Sequence, residues 1–451
     1  MSRILGDSAS LSQAPLLRNQ NPYPSISSYY STVVNNVKVK AEKTKSTDIQ
    51  AFFNLFSAFV GIGVLSLPKG LSTPGLGLGV IGFIILAILC YVVLYLNLKI
   101  ADDQPGAEGI SLRQLAGQHL GRWAGISVEV AIFFMQAGIC IGILLFTDEF
   151  LTYAFCAFEQ ETLCSTHLYN LLICIVLVVP LSFVNNLHFF YIPSLIATVL
   201  YLIGIGTQTY YNFTLLHSRE DPWSDLKTNL KEFDPTQLPL FFGVAIFGFE
   251  GIGVLFGLRK SMEAPRRMKS LLGFNMLTCT ILYIFFSIVS VIALPKGEIP
   301  EIVLLSLPKE TFYLVVQTAY AIGVAMAYPL QLAPSVRIVE QHPYFQKKLF
   351  DPDGRIKNRF LRYAIRIVLQ IIIFTAAFTL QSFFLFLNLI GSCFFTYLAF
   401  ILPVMLYQKV HGKKTHILRT IFHWLIALTA LVLGLLGAIE SVKAMIDYEN
   451  E

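Results

Sequence analysis

"FGFEGIGVLFGL", Phe247 to Leu258, sets a carboxylate and four glycines inside a run that is otherwise apolar. Its "GIGVL", Gly251 to Leu255, repeats the "GIGVL" of Gly61 to Leu65 letter for letter. If the run crosses a bilayer, a charge at its centre costs about 2.5 to 3.5 kcal/mol on insertion scales, so Glu250 must face protein or a wet cavity, or carry a proton. A buried carboxylate favours its protonated form. Glycine weakens a helix by up to about 1 kcal/mol relative to alanine, so Gly248, Gly251, Gly253 and Gly257 predict that the helix opens here. Gly61 and Gly63, with Pro68 just beyond, predict the same for the earlier copy.

Composition supplies the membrane. The chain has 451 residues, 55% of them hydrophobic and only 14% charged, which is too apolar for water and reads as a polytopic membrane protein. A helix needs about 20 apolar residues to cross the hydrocarbon core. Runs of that kind occupy 49–68, 70–98, 130–147, 162–218, 235–258 (interrupted by Glu250), 270–295, 311–336, 367–408 and 420–439. The 162–218 run is double length and turns at Asn185-Asn186; the 367–408 run turns near Gln381-Ser382. The expectation is 11 transmembrane helices. Continuous apolar runs, rather than ten-residue alternating ones, exclude a barrel, so the fold class is an all-α integral membrane protein.

Placing the N-terminus in the cytosol puts most of the 33 Lys and Arg on the inner side, as cytoplasmic loops require, and the C-terminus on the outer or lumenal side. The net charge of +5 is thereby membrane topology; no surface gathers the basic residues with interleaved aromatics as nucleic-acid binding would need. Spans 1 to 5, about 49–212, and spans 6 to 10, about 235–408, then form two units, the second inverted because five is odd; an extra helix follows at about 418–440. Gly61-Ile62-Gly63 and Gly251-Ile252-Gly253 fall in the corresponding first helices. Paired interrupted helices point to a transporter's site, where half-helix ends offer free amides to a carboxylate and free carbonyls to a cation. An amino acid carries both charges. The alternative for the glycines is helix packing through small residues, and for Glu250 a structural hydrogen-bonding post.

Residues 1–48 are rich in Ser, Asn and Pro and read as a disordered cytosolic tail; 442–451 read as a short outer or lumenal tail. The tail's "SQAPLL", ending at Leu16-Leu17, is a candidate signal for sorting adaptors, against a loose tail without that role. Cys156 and Cys164, near or in the outer loop after span 3, are a candidate disulfide, and Asn212-Phe213-Thr214 is a glycosylation sequon expected outside. The remaining cysteines sit in spans as packing residues. No Cys or His cluster has metal-ligand spacing, and neither a P-loop nor a nucleophilic triad stands out, so nothing supports an enzyme.

"FFNLFSAFVGIGVLSLPKG", "FFGVAIFGFEGIGVLFGLRKSMEAPRR", "YAIGVAMAYPLQLAP" and "FLNLIGSCFFTYLAFILPVML" resemble the amino acid/auxin permease family, and within it the proton-coupled amino acid transporters. The resemblance runs from about 46 to 440. It implies a fold like that of the bacterial leucine transporter, with a 5+5 inverted repeat, broken helices 1 and 6, and an eleventh helix appended. It also implies a monomer that imports small or neutral amino acids into the cytosol, across the plasma membrane or from a lysosome or vacuole, with a proton as coupling ion and no bound cofactor. By motif, the backbone of Gly61, Ile62, Gly63 and Val64 holds the substrate carboxylate. The stretch Phe247, Gly248, Phe249 and Gly251 takes the ammonium, with Phe247 and Phe249 lining the pocket or serving as plain core aromatics. Glu250 is the proton-coupling residue. Two departures stand out: Asn54 replaces the histidine of many proton-coupled members and is a tentative coupling or gating residue, and Arg259 replaces a usual acidic residue at the inner gate. Alternatives are a sodium-coupled carrier, disfavoured by the lack of hydroxyls in the middle of "GVAMAYPLQ", and an amino-acid sensor signalling through its tail.

Overall fold

The computed structural model of the chain describes residues 46–103, 110–157, 176, 178–180, 182–183, 191–218, 233–249, 251–294, 299–351, 356–380, 382–412 and 415–450. Among them the regular structure is helical, with two isolated bridges, Ser46 to Met262 and Phe350 to Ile356. Helix α1 (Asp48–Phe59) begins at a capping box: Gln50 N donates to the Thr47 hydroxyl, and Thr47 N donates to the Gln50 side chain. The folded unit thus takes in Ser46, Thr47 and Asp48, which a tail of residues 1–48 leaves out. Ser46 N donates to the Ser261 carbonyl at 2.7 Å, and its own carbonyl accepts from Glu263 N at 3.1 Å.

After α1 come a 3-10 helix, Ile62–Ser66, and α2 (Leu67–Ser72), bent 42° from α1. Gly75, at φ 90°, reverses the chain into α3 (Leu76–Asp102), a conformation that costs a glycine nothing. Then follow α4 (Leu112–Leu120), α5 (Arg122–Ala157), α6 (Tyr191–Ser218), α7 (Leu238–Phe247), α8 (Ile252–Ser261) and α9 (Met268–Ala293). A 3-10 turn at Val303–Ser306 leads to α10 (Thr311–Glu340), α11 (Pro343–Leu349), α12 (Arg359–Thr379) and α13 (Phe383–Ile390). A π-helix at Gly391–Ile401 carries α13 into α14 (Leu402–His411), and α15 (Ile417–Asn450) closes the chain.

Among the described residues seven helical segments are long and apolar enough to cross a bilayer, and an eighth if the bent α1–α2 pair is one span. The expected turn near Gln381-Ser382 lies where α12 stops at Thr379 and α13 starts, with the Ser382 hydroxyl accepting from Leu385 N at 3.2 Å. The turn expected at Asn185-Asn186 lies outside the described residues. Large apolar side chains face outward, including Ile84 and Ile88 on α3, Ile371 and Ile372 on α12, and Leu428 and Leu435 on α15. In water such faces would aggregate; in lipid they are the solvent-facing surface.

Three expectations need correction. Residues 442–450 are no tail: α15 runs on to Asn450, because this stretch is rich in good helix formers and adds a Glu440–Lys443 pair at 3.3 Å. Asn212 is fully buried in α6, where its amide donates to Ser290 Oγ at 2.9 Å and its carbonyl oxygen accepts from Gln208 Nε2 at 2.9 Å. Buried and bonded at both amide atoms, it leaves no room for a glycan in this fold. Cys393 is exposed on the outer face of the π-helix, whereas Cys90, Cys140 and Cys279 are buried packing residues as expected. Cys156 is disulfide-bonded, with a partner outside the described residues; Cys164 is also outside them.

Candidate functional site

Both glycine motifs interrupt their helices. α1 ends at Phe59, the chain leaves helical geometry at Val60 (φ −80°, ψ 75°) and Gly61 (φ −117°, ψ −141°), and the 3-10 turn resumes at Ile62. α7 ends at Phe247 and α8 starts at Ile252, with Gly251 as its N-cap residue. The two copies bond alike. Gly61 N donates to the Phe59 carbonyl at 2.9 Å, and Gly251 N donates to the Phe249 carbonyl at 2.8 Å. Each is an i to i−2 bond, and the Val60 angles are those of an inverse γ-turn. Such a turn spends its amide locally and leaves the last carbonyls of one half-helix and the first amides of the next without helical partners.

The two interruptions touch. A Cβ on Gly63 would sit 2.9 Å from Phe247 Cδ1 and 3.6 Å from Gly248 Cα; one on Gly251 would sit 2.8 Å from Phe59 Cζ and nearer still to Cε1. The rings of Phe59 and Phe249 meet edge to face at 6.3 Å between centroids. Helix α5 forms a third wall. A Cβ on its Gly142 would lie 3.1 Å from Ile62 Cδ1, and its Gln136 packs on Gly253 in the first turn of α8. Helix α10 supplies a fourth: the fully buried Tyr320 donates its hydroxyl to the Gly61 carbonyl at 3.2 Å. Gly61 is less crowded: among the described residues a Cβ there would meet nothing within 4 Å, as is also true of Gly257 further along α8. Open space therefore borders the first interruption.

Two helices are thus opened at matching motifs and pressed together inside an apolar bundle. A family model described as transmembrane amino acid transporter protein matches residues 44–447. The chain belongs to this family. It is 27% identical over 379 residues to vacuolar amino acid transporter 3 of Schizosaccharomyces pombe, covering 82% of this chain and 54% of that one. It is 22% identical over 408 residues to an amino acid transporter of Arabidopsis thaliana, covering 88% and 93%. A proton-coupled amino acid transporter-like protein of Drosophila melanogaster is 25% identical over 432 residues, covering 90% and 87%. The chain spans about half the length of its yeast relatives.

Within this family member the end of the bundle nearest Ser46 is held by charges. Arg259 on α8 donates to Asp102 on α3 at 2.6 Å, with side chains only 3% and 8% exposed, and Lys269 on α9 reaches the other Asp102 oxygen at 2.8 Å. Arg267 pairs with Asp48 at 2.8 Å on the surface. Asp102 is thus the centre of a three-helix tie in which Arg259, flagged in the sequence only as a departure, is one arm. At the opposite end the segment from Ile299 to Leu307 folds over the bundle. Its Glu301 accepts from the Ser382 hydroxyl at 2.8 Å and from Phe384 N at 2.9 Å, while Tyr153 donates to the Leu307 carbonyl at 2.7 Å. Its 3-10 turn packs against that of Ile62–Ser66.

The remaining sequence candidates fall as follows. Ile62, Gly63 and Val64 are buried in the 3-10 turn, with Gly61 half-buried before it. Phe247 is 2% exposed and packs edge to face on Phe395; Phe249 is 4% exposed and stacks on Phe83 at 5.2 Å beside Tyr283. Both are core aromatics that shape the second interruption from within. Asn54 is half-buried on α1, before the first interruption. Glu250 lies outside the described residues. Sequence reasoning missed Tyr320, Gln136 and Ser66, whose hydroxyl is buried in the 3-10 turn with no hydrogen-bond partner. The only signal for Gln136 and Tyr320 was a polar atom in an apolar run, and such atoms are common in helices that only pack.

Proposed function

We propose that the chain is a secondary active transporter that moves small or neutral amino acids together with protons into the cytosol, from outside the cell or from a vacuole or lysosome. The observation that carries this reading is the meeting of the two interrupted helices at Gly63 and Phe247, beside open space at Gly61, in a member of an amino-acid transporter family. A substrate carboxylate would bind the amides of Ile62 to Val64, the Gly61 amide being spent on the Phe59 carbonyl, and its ammonium the carbonyls at the end of α7. The architecture is 11 helices in a 5+5 inverted repeat plus one. The shared i to i−2 turn in both "GIGVL" copies supports that repeat, since equivalent elements reuse equivalent local geometry. Names given to relatives, vacuolar in yeasts and proton-coupled-like in the fly, support the membrane and the coupling ion.

Transport requires that the two ends of the bundle open in turn. The Arg259–Asp102–Lys269 tie and the Ser46–Ser261 bonds close the cytosolic end, and the segment Ile299 to Leu307 closes the other. Glu250 would take its proton from the acidic side and release it to the cytosol. The driving force is about 1.4 kcal/mol per pH unit, and about 2.3 kcal/mol per 100 mV for one charge. The test is uptake into proteoliposomes across an imposed pH step. Wild-type protein should concentrate amino acid, and Glu250→Gln should abolish the pH dependence. Concentrative, pH-driven uptake by that variant would remove Glu250 from the mechanism.

A further inference from the structure

Gln136 on α5 is 1% exposed, and its amide oxygen is buried with no hydrogen-bond partner. An amide oxygen in that condition costs about 1 to 3 kcal/mol, and since Gln208, Gln317 and Gln370 carry buried oxygens of the same kind, a reason tied to place is needed. Its position supplies one. The other end of the same amide packs on Gly253, two residues into α8, so closely that a Cβ there would collide with Nε2 and lie 3.1 Å from Met135 Cε. Further along α5, Gly142 packs on Ile62 of the first interruption. One helix therefore touches both openings, with a residue lacking a side chain at one and a free acceptor at the other. The two contacts are six residues apart, about 9 Å along the axis at 1.5 Å per residue. An amino acid held by its carboxylate at the first opening covers part of that distance itself, and the hydrogen bonds at its two ends, about 3 Å each, make up the rest.

We propose that Gln136 reads the substrate's side chain, and that its carboxamide makes the site prefer neutral amino acids bearing a hydroxyl or amide, such as serine, threonine, asparagine and glutamine, over apolar isosteres. The inference rests on the location of the substrate site given above. An apolar side chain arriving here leaves the amide oxygen orphaned, whereas a hydroxyl or amide donor satisfies it. Sites built around a hydrogen bond discriminate against isosteres that lack it more strongly than apolar pockets discriminate by size.

The test uses purified full-length protein in detergent and ligand-induced thermal stabilisation, which reports apparent affinity without requiring transport. Threonine against valine and serine against alanine are the pairs. Wild-type protein should favour the hydroxyl member of each pair by about tenfold, and Gln136→Met should bring both ratios to about one. Gly253→Ala, whose methyl displaces the amide without changing it, should lower the ratios as well, and it carries the test if Gln136→Met does not fold. Equal wild-type affinity within each pair, or ratios unchanged in both variants, overturns the proposal. Uptake by the same proteins in proteoliposomes separates the two readings. Hydroxyl-selective binding without uptake sinks the carrier and leaves Gln136 in its role; uptake with equal KM for threonine and valine removes Gln136 and leaves the carrier.

Discussion

Gly61 and Gly251 hold the same place in the repeated pentapeptide, yet the structure gives them opposite surroundings, and alanine at each position separates packing from ligand binding. At Gly251 an added Cβ would sit 2.8 Å from Phe59 Cζ and closer to Cε1, and Phe59 is itself 2% exposed and braced against Phe249. Overpacking of this kind costs about 1 to 3 kcal/mol. Gly251→Ala should therefore lower thermal stability, with any loss of uptake following from that. At Gly61 the added Cβ meets nothing within 4 Å among the described residues, and a φ of −117° lies on the side that L residues occupy. Gly61→Ala should leave stability within about 1 kcal/mol of wild type, as substitutions away from packed contacts do. Its methyl nevertheless enters the space where the substrate carboxylate is placed, and a lost or displaced contact worth about 1.4 kcal/mol raises KM about tenfold. Melting in detergent and KM in proteoliposomes are measured side by side. A wild-type KM for Gly61→Ala refutes the placement of the substrate, and a large fall in melting temperature refutes the open space itself.

Tyr320→Phe removes the hydroxyl that donates to the Gly61 carbonyl, and should cost about 1 kcal/mol and a several-fold rise in KM, read from the same uptake assay. Asp102→Asn strips the buried Arg259 of its carboxylate partner and should destabilise the protein by about 3 to 5 kcal/mol; the apolar pair Asp102→Leu with Arg259→Met should recover most of that loss in a melting experiment. In the recovered double variant, cysteine labelling from the side of the bundle that carries Ser46 should reach the α8 region faster than in wild type. Asn212→Gln should leave the electrophoretic mobility of protein from glycosylating cells unchanged while lowering its stability, because the side chain bonds Gln208 and Ser290 and carries no sugar.

Much of the fold was legible because lipid makes one demand on every span, an unbroken apolar run, and its punctuation survives in sequence. Gly61 and Gly251 marked the interruptions, and the polar turn near Gln381-Ser382 marked a helix junction at Ser382. Ends of elements were less legible. α15 outran its apolar run because amphipathic helix formers continue a helix past the membrane, and Asn212 was read as outer surface although α6 carries it inward to meet Ser290. The site was the least legible part. Tyr320 and Gln136 act through contacts with residues 259 and 117 positions away along the chain, to Gly61 and Gly253 respectively, and no periodicity encodes which polar atom in a span will face an opened helix.

The repeat itself explains how one motif can serve two ends of a zwitterion. Extended by two letters it reads Phe-x-Gly-Ile-Gly-Val-Leu, at Phe59 to Leu65 and at Phe249 to Leu255. The shared letters make the same bond twice: the phenylalanine carbonyl accepts from the glycine amide, and the two phenylalanine rings lean on each other. The letter x is free to differ, because that turn bonds the residues on either side of it. In the first copy x is Val60, fully buried and apolar; in the second it is Glu250. The bond is thus duplicated while the charge is not. If charge at x is what ties proton to substrate, transplanting it should fail: Val60→Glu with Glu250→Val keeps composition and both turns, yet places the carboxylate in the half of the site that receives the substrate's own. Such a protein should lose uptake at every pH, and pH-driven uptake surviving the swap would show that the position of the carboxylate is immaterial.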